Sequence, residues 1–175
     1  MISPTAFRLL ATLAVGVSML SGCTPTAEPT PTPSPAFSSE EEAFAAAEAT
    51  YREFTRRLNE VDTSDPATFE PLYELSTGDF EKADRKAYSA MHAEGIKVEG
   101  ETRILSFAAV ESDATHNAVA AVVCLDVSDV EVTDSNGVSQ VAPGRPDVYA
   151  LRVNFVNERG IYVIGSAQGE SETEC

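Results

Sequence analysis

The 175-residue chain contains no tryptophan, only two histidines and three cysteines, and few cations: 12 Lys and Arg against 28 Asp and Glu, a formal charge of −16. The shortage of positive charge makes the first exclusion. Nucleic-acid backbones and anionic headgroups are held by clustered Lys and Arg. The densest cluster here is the Arg56-Arg57 pair, so no nucleic-acid partner is expected, and the acidic surface favours solubility. Neither His92 nor His116 has metal-ligand spacing to another histidine, a cysteine or an acid pair. Both read as ordinary surface residues, and neither a metal nor a cofactor is expected. Gly-x-Ser-x-Gly, His-Glu-x-x-His and a phosphate-binding glycine loop are absent. The apolar run Leu9 to Leu20, LLATLAVGVSML, has 12 residues, short of the roughly 20 that a helix needs to span a bilayer. The length suits one domain with appendages.

That short run is informative by its position. Arg8 is the only charged side chain before it, and Ser21-Gly22 ends it. This is the layout of a secretory signal; the alternative is a short anchor that is never cleaved. Leu20-Ser21-Gly22-Cys23 resembles the lipobox of bacterial lipoproteins: an aliphatic residue, two small residues and cysteine. The resemblance implies cleavage after residue 22, a diacylglyceryl group on the Cys23 sulfur and often a further acyl chain on the new N-terminus. Two or more chains hold a protein firmly, at about 0.8 kcal/mol per buried CH₂. The other reading of Cys23 is an ordinary disulfide partner. Thr24 to Phe37 follows, with five prolines in 14 residues. Such a tract cannot build a core. In polyproline II, at about 3.1 Å per residue, it reaches up to roughly 40 Å. Residues 1–22 are thus expected to be a lipoprotein signal peptide and 23–37 a lipidated cysteine with its tether. The protein would sit on the outer face of the cytoplasmic membrane, held by its lipid. The acidic, Ala/Thr/Pro-rich composition resembles that of small actinobacterial lipoproteins.

Residues 38–175 read as a single α+β domain. Ser38-Ser39-Glu40-Glu41 fits a capping box. Phe44, Ala47, Tyr51, Phe54, Leu58 and Val61 then recur in steps of three and four, one stripe of a long helix. Glu48/Arg52, Glu53/Arg57 and Arg56/Glu60 are i,i+4 pairs on its other side. Asp65-Pro66 caps a short second element with Phe69, Leu72 and Tyr73 on its apolar edge. A third helix opens at Thr77-Gly78-Asp79, presents Phe80, Ala83, Ala87 and Met91, and stops at Gly95. The period then becomes two. Arg103 to Glu111 predicts a strand with Leu105, Phe107 and Ala109 on one face. Ala118 to Val132 predicts one long strand with Val119, Ala121, Val123, Leu125 and Val127 on one face. Asp134-Ser135-Asn136-Gly137 and Asn157-Glu158-Arg159-Gly160 are turns; between them Tyr149, Leu151, Val153 and Phe155 share a face, and Ile161 to Ser166 is the last strand. Helices followed by close-turned strands mean N-terminal helices packed on a curled antiparallel sheet.

With Cys23 lipidated, Cys124 and Cys175 remain. Outside the cytoplasm two such cysteines pair by default; the alternative is a buried thiol at Cys124 and a frayed tail. The acids Asp126, Asp129, Glu131 and Asp134 suggest Ca²⁺ at first sight. However, Val132 occupies the first ligand position of that loop and no glutamate closes it. A solvated hairpin turn is expected.

The order of elements resembles the cone of the NTF2-like/cystatin-like superfamily, whose members include isomerases, dehydratases and non-enzymatic binding domains. In its enzymes an Asp/His or Asp/Tyr constellation enters a pocket between helices and sheet. The resemblance implies a pocket lined here by Tyr51, Phe54, Leu58, Met91 and Phe107, with Tyr51 and Tyr88 the phenols able to reach it. No acid–base pair is evident among them, so no catalytic residue is expected. The expected function is a membrane-tethered, non-catalytic binding or accessory domain of the cell envelope, for a protein partner or a small apolar ligand. The alternative is an NTF2-like enzyme acting on a small hydrophobic substrate. A transporter's solute-capture protein fits less well, because such proteins have two lobes.

Overall fold

A computed structural model describes residues 37–171 and Cys175. The lipobox residues Leu20, Ser21, Gly22 and Cys23, and the tether up to residue 36, lie outside the described residues.

Helix α1 spans Glu40–Leu58. Its box is built one residue later than the pattern predicts. Ser39 is the N-cap, its Oγ accepting from the Glu42 amide at 3.2 Å. The Glu42 carboxylate reaches back to accept from the amide and hydroxyl of Ser38, at 2.9 and 2.6 Å. The three predicted ion pairs form, at 2.6, 2.8 and 2.5 Å. Ala43, Ala47, Tyr51 and Phe54 are buried in the core cluster, with Phe44, Leu58 and Val61 half-buried around it. Asp65 and Pro66 start a single 3-10 turn, Pro66–Thr68. Helix α2, Glu70–Tyr73, is only one turn long and has Pro71 in that turn, where a missing amide donor is tolerated. Helix α3, Gly78–Glu94, ends at Gly95 with φ +68°, the left-handed cap the sequence predicts. Its inward face differs from the expected stripe. Phe80, Asp84, Tyr88 and Met91 are half-buried, while Ala83 and Ala87 are exposed. The i,i+4 row runs through a carboxylate, which a hydropathy pattern places in solvent.

Six strands follow: β1 Lys97–Glu99, β2 Arg103–Ser112, β3 Ala118–Asp126, β4 Glu131–Thr133, β5 Val148–Glu158 and β6 Ile161–Glu170. A four-stranded antiparallel sheet has the order β2-β3-β5-β6, and β1 and β4 form a separate two-stranded ribbon. The predicted 118–132 strand is therefore two. Asp126 turns the chain by accepting from the Ser128 amide at 2.9 Å, and the Val130 amide closes the turn on the Val127 carbonyl at 3.0 Å. The predicted face of β2 is also corrected. The register shifts at Leu105 and Val110, bulges that re-aim the side chains after them. Ile104, Phe107 and Ala109 pack on the core, while Leu105 is 53% exposed. β6 runs four residues past the predicted end. Its outer edge is met by the connector before α3: the Thr77 amide donates to the Ile164 carbonyl at 2.9 Å, and the Ile164 amide to the Leu75 carbonyl at 2.8 Å.

The helices cover one face of the four-stranded sheet. On it, Val119, Val123, Val153, Phe155 and Ile164 are at most 2% exposed. Phe155 and Tyr162 pack with centroids 6.4 Å apart, and Tyr162 stacks on Phe37 at 4.8 Å. The other face carries Ala120, Val122, Cys124 and Ala150, the alternate residues of β3 and β5. Ser106, Cys124, Ala150 and Glu170 form one row across all four strands. Glu170 is thus two strand spacings, about 10 Å, from Cys124. Cys175 bonds Cys124, with Cα atoms 5.6 Å apart. The predicted pairing is present, and it ties Cys175 to the face that no helix covers among the described residues.

Candidate functional site

The five predicted pocket residues divide into two groups. Tyr51, Phe54 and Phe107 are packed together: the Tyr51 ring lies 6.2 Å from both Phe54 and Phe107 and 6.3 Å from Phe155. They fill the space between α1 and the sheet. Leu58 and Met91 instead line a cavity of about 200 Å³ at the C-terminal end of α1. Its remaining walls are Asn59 and Val61 after the helix, Tyr88 from α3, Val98 from β1, and Val130 and Val132 from β4 and its approach. Gly100 and Thr102, between β1 and β2, complete it.

Polar clamps hold these walls apart. The Asn59 side chain donates to the Thr102 carbonyl and accepts from the Thr102 amide, both at 3.0 Å. It pairs with the strand as another strand would. Thr63 Oγ1 donates to the Ile96 carbonyl at 2.6 Å, and His92 Nδ1 donates to the Thr63 carbonyl at 2.9 Å. Arg145 donates to the carbonyls of Val127 and Val130, at 2.9 and 3.0 Å, and Arg103 pairs with Asp129. Gly100 is required where it stands. Its φ is +87°, and a Cβ there would fall 1.9 Å from the Asp129 carbonyl oxygen. The ribbon can close over the cavity only because that side chain is missing.

The cavity wall is apolar apart from backbone, Asn59, Thr102 and the Tyr88 phenol. Burial, then the neighbouring Asp84 and Tyr73, push the Tyr88 phenol well above its usual range, so it stays a neutral donor. Tyr88 also packs on Phe69 at 5.5 Å and Tyr73 at 6.4 Å. One turn before it on α3 lies Asp84. Its Oδ2 is buried and has no hydrogen-bond partner among the described residues. Burial pushes its carboxyl up to about 6. Asp84 was not legible as a site residue because a lone acid in a helix carries no motif. The signal available was its place in the Phe80–Asp84–Tyr88 row.

A second groove, outside α2 and α3, is lined by Phe69, Tyr73 and Arg85. It is already occupied by side chains: the Arg85 guanidinium lies 4.1 Å from the Tyr73 ring centre and pairs with Glu70 and Glu81 at 3.0 and 2.7 Å. His116 stands in the β2–β3 turn at φ +52°, with Nδ1 2.9 Å from Ser112 Oγ. The acids after β3 build turns; Asp134 Oδ1 accepts from the amides of Asn136 and Val138, at 2.8 and 2.9 Å. Among the described residues no three His, Cys, Asp or Glu side chains are placed to hold a metal ion. Among the same residues no helix is long and apolar enough to cross a membrane.

No protein family and no curated protein matches the sequence. Solved structures do match the fold. The intermembrane space region of the chloroplast protein ARC6 superposes with a TM-score of 0.52 at 14% identity, covering 71% of this chain and 94% of that one. A protein from Catenulispora acidiphila gives a TM-score of 0.48 at 17% identity, over 73% of this chain and 89% of that one. Aln2 from a Streptomyces species gives 0.46 at 16%, over 77% and 93%. The first of these likenesses shows that the domain shares its α+β fold with that region, and it shows the fold alone.

Proposed function

We propose that this chain is a lipid-anchored, extracytoplasmic and non-catalytic binding module, NTF2-like in architecture, whose cavity takes a small uncharged apolar molecule. The observation that carries the reading is the cavity wall: six aliphatic or thioether side chains, Leu58, Val61, Met91, Val98, Val130 and Val132, around one neutral phenol. An apolar cavity of about 150 Å³ is enough to bind benzene, so this one suits a single ring or a short chain. An anion would meet an acidic domain and no cation in the wall.

Two measurements test it. Intact mass of the membrane-purified protein should begin at Cys23 with its acyl chains, and Cys23→Ala should abolish both acylation and membrane retention. Methyl resonances of Met91, Val98 and Val132 should shift on titration with toluene and stay still with benzoate, and Val130→Phe should abolish the toluene response. Unmodified Cys23 removes the anchor; still methyls remove the ligand.

One observation favours a second reading, an enzyme of isomerase or dehydratase type on a small hydrophobic substrate. Asp84, an unpaired carboxyl, stands one turn from the cavity phenol Tyr88. That reading requires Asp84 to reach the cavity, whose wall it does not form. Loss of turnover in Asp84→Asn would establish it.

A further inference from the structure

We propose that Asp84 is a proton-operated latch on the cavity wall: protonated, it lets the middle of α3 seat on the domain, and ionised, it lifts that segment and opens the cavity. The proposal rests on the reading of the cavity as a ligand site and adds its regulation. Three features of α3 carry it. The helix is fixed at both ends. Before it, the Thr77 amide bonds the Ile164 carbonyl at 2.9 Å; in its last turn, His92 Nδ1 donates to the Thr63 carbonyl at 2.9 Å. Between these ends no residue of α3 is fully buried. Its seat is a row of side chains: Phe80 against Phe54 at 6.0 Å, then Asp84, then Tyr88 against Phe69 and Tyr73. A carboxyl oxygen without a partner among the described residues therefore sits in the middle of the contact face.

Nothing among the described residues around it compensates a negative charge. On α3, Arg85 is committed to Glu70 and Glu81 and lies over Tyr73. Tyr88 on α3 and Tyr73 on α2 are the groups whose titration feels the Asp84 charge, and both are pushed upward. On α1, Arg57 is held by Glu53 and Glu74, at 2.8 Å each. β6 carries no ionisable side chain between Tyr162 and Glu170. A carboxylate with one oxygen buried and unbonded is disfavoured when ionised, whereas the neutral acid is tolerated. The cheapest escape is to bring that oxygen to water by moving the least buried helix. Tyr88 moves with it, and its ring is cavity wall. Burial raises the Asp84 carboxyl to about 6, within the range a cell surface experiences.

The test is amide hydrogen exchange of the full-length protein in detergent, corrected for intrinsic rates, at about pH 5 and about pH 7.5, which bracket the group. The expected result is roughly tenfold lower protection of amides 81–91 at the higher pH, with the β3 and β5 amides unchanged. Asp84→Asn should remove the difference. Asp84→Leu, which needs no hydrogen-bond partner, should do the same if the amide variant folds poorly. Equal protection of α3 at both pH values, or the same pH dependence in both variants, overturns the latch. No ligand is present in this experiment, so a cavity that fails to bind toluene and a latch that fails to move are separate results.

Discussion

Helices α1 and α3 are nearly the same length, 19 and 17 residues, yet α1 buries six residues and α3 none. Both have apolar side chains in steps of three and four. They differ in what those steps meet. α1 is pressed between the sheet and α2, so Ala43 and Ala47, both fully buried, let its backbone come close while Tyr51 and Phe54 fill the aromatic core. α3 buries none of its residues: its half-buried row has a carboxyl in its centre, and Arg85 and His92 contact the domain beside it. Amphipathicity alone therefore does not set how firmly a helix is held; the burial of its partners does. α1 is a structural element of the core, and α3 is a wall.

The largest effect should separate the two helices directly. Phe54 and Phe80 touch each other, so each truncation removes the same ring contact. Phe54→Ala also opens the core and should cost about 3–5 kcal/mol, whereas Phe80→Ala, from a half-buried site, should cost about 1–2. Urea unfolding of both variants measures the difference. Equal losses would break the comparison. Next comes the disulfide, which lies on the sheet face opposite both helices. Its loop of 51 residues suggests about 4 kcal/mol in the chain-entropy model. Cys175→Ser should lower the free energy of urea unfolding by that order and leave the exchange of α3 relative to the sheet unchanged. Selective loosening of α3 would show that the bond acts on the wall instead.

Acidity should move the helices in opposite directions. On α1, hydrogen bonds from the guanidiniums of Arg56 and Arg57 hold the Glu53 carboxyl down to about 2, from an ordinary 4.5. A depressed carboxyl stabilises above its unfolded value, and that contribution is lost as the pH falls from there through about 2. On α3, burial raises Asp84 from an ordinary 3.8 to about 6. A raised carboxyl stabilises fully below its unfolded value, and that contribution is lost as the pH rises through about 6. Thermal melting across this range should show wild type falling toward Glu53→Gln on the acid side. On the other side it should fall relative to Asp84→Asn between about pH 4 and pH 6. Curves for the two variants that run parallel to wild type would remove both assignments.

The better-held helix was also the more legible one. Its stripe and its ion pairs are local, three or four residues apart, and so are Asp65-Pro66, Gly95 and the turns at 134–137 and 157–160. The two cysteines were legible by number. What escaped depends on long-range pairing. The bulges at Leu105 and Val110 exist only against β3, and they turn Ile104 inward where the alternation favours Leu105. The run from Ala118 to Val132 is uniformly strand-like, and only the Asp126 turn splits it. That split creates the β1–β4 ribbon, and with it half the cavity wall. Leu58 and Met91 could be anticipated because they follow the helical stripes. Asp84 had only its place in the Phe80–Tyr88 row to mark it; its unbonded, buried oxygen is visible in the fold alone.

The smallest effect concerns the capping residue of each helix. Both are hydroxyl residues in extended conformation, Ser39 at φ −151° and Thr77 at φ −149°. By sequence the two caps are equivalent. In the fold only Ser39 accepts from its helix, at 3.2 Å, with Glu42 bonding back to Ser38. The Thr77 side chain makes no capping bond, and Thr77 is held instead through its amide, which donates to Ile164. A side-chain cap is worth about 1 kcal/mol, and replacing a side chain that caps nothing is worth almost none of it. Ser39→Ala should therefore lower stability by about 1 kcal/mol, and Thr77→Ala by only a few tenths. Urea midpoints of the two variants decide it. If Thr77→Ala lost as much as Ser39→Ala, the N-terminus of α3 would be capped as that of α1 is, and the contrast between core helix and wall would be confined to the middle of the two helices.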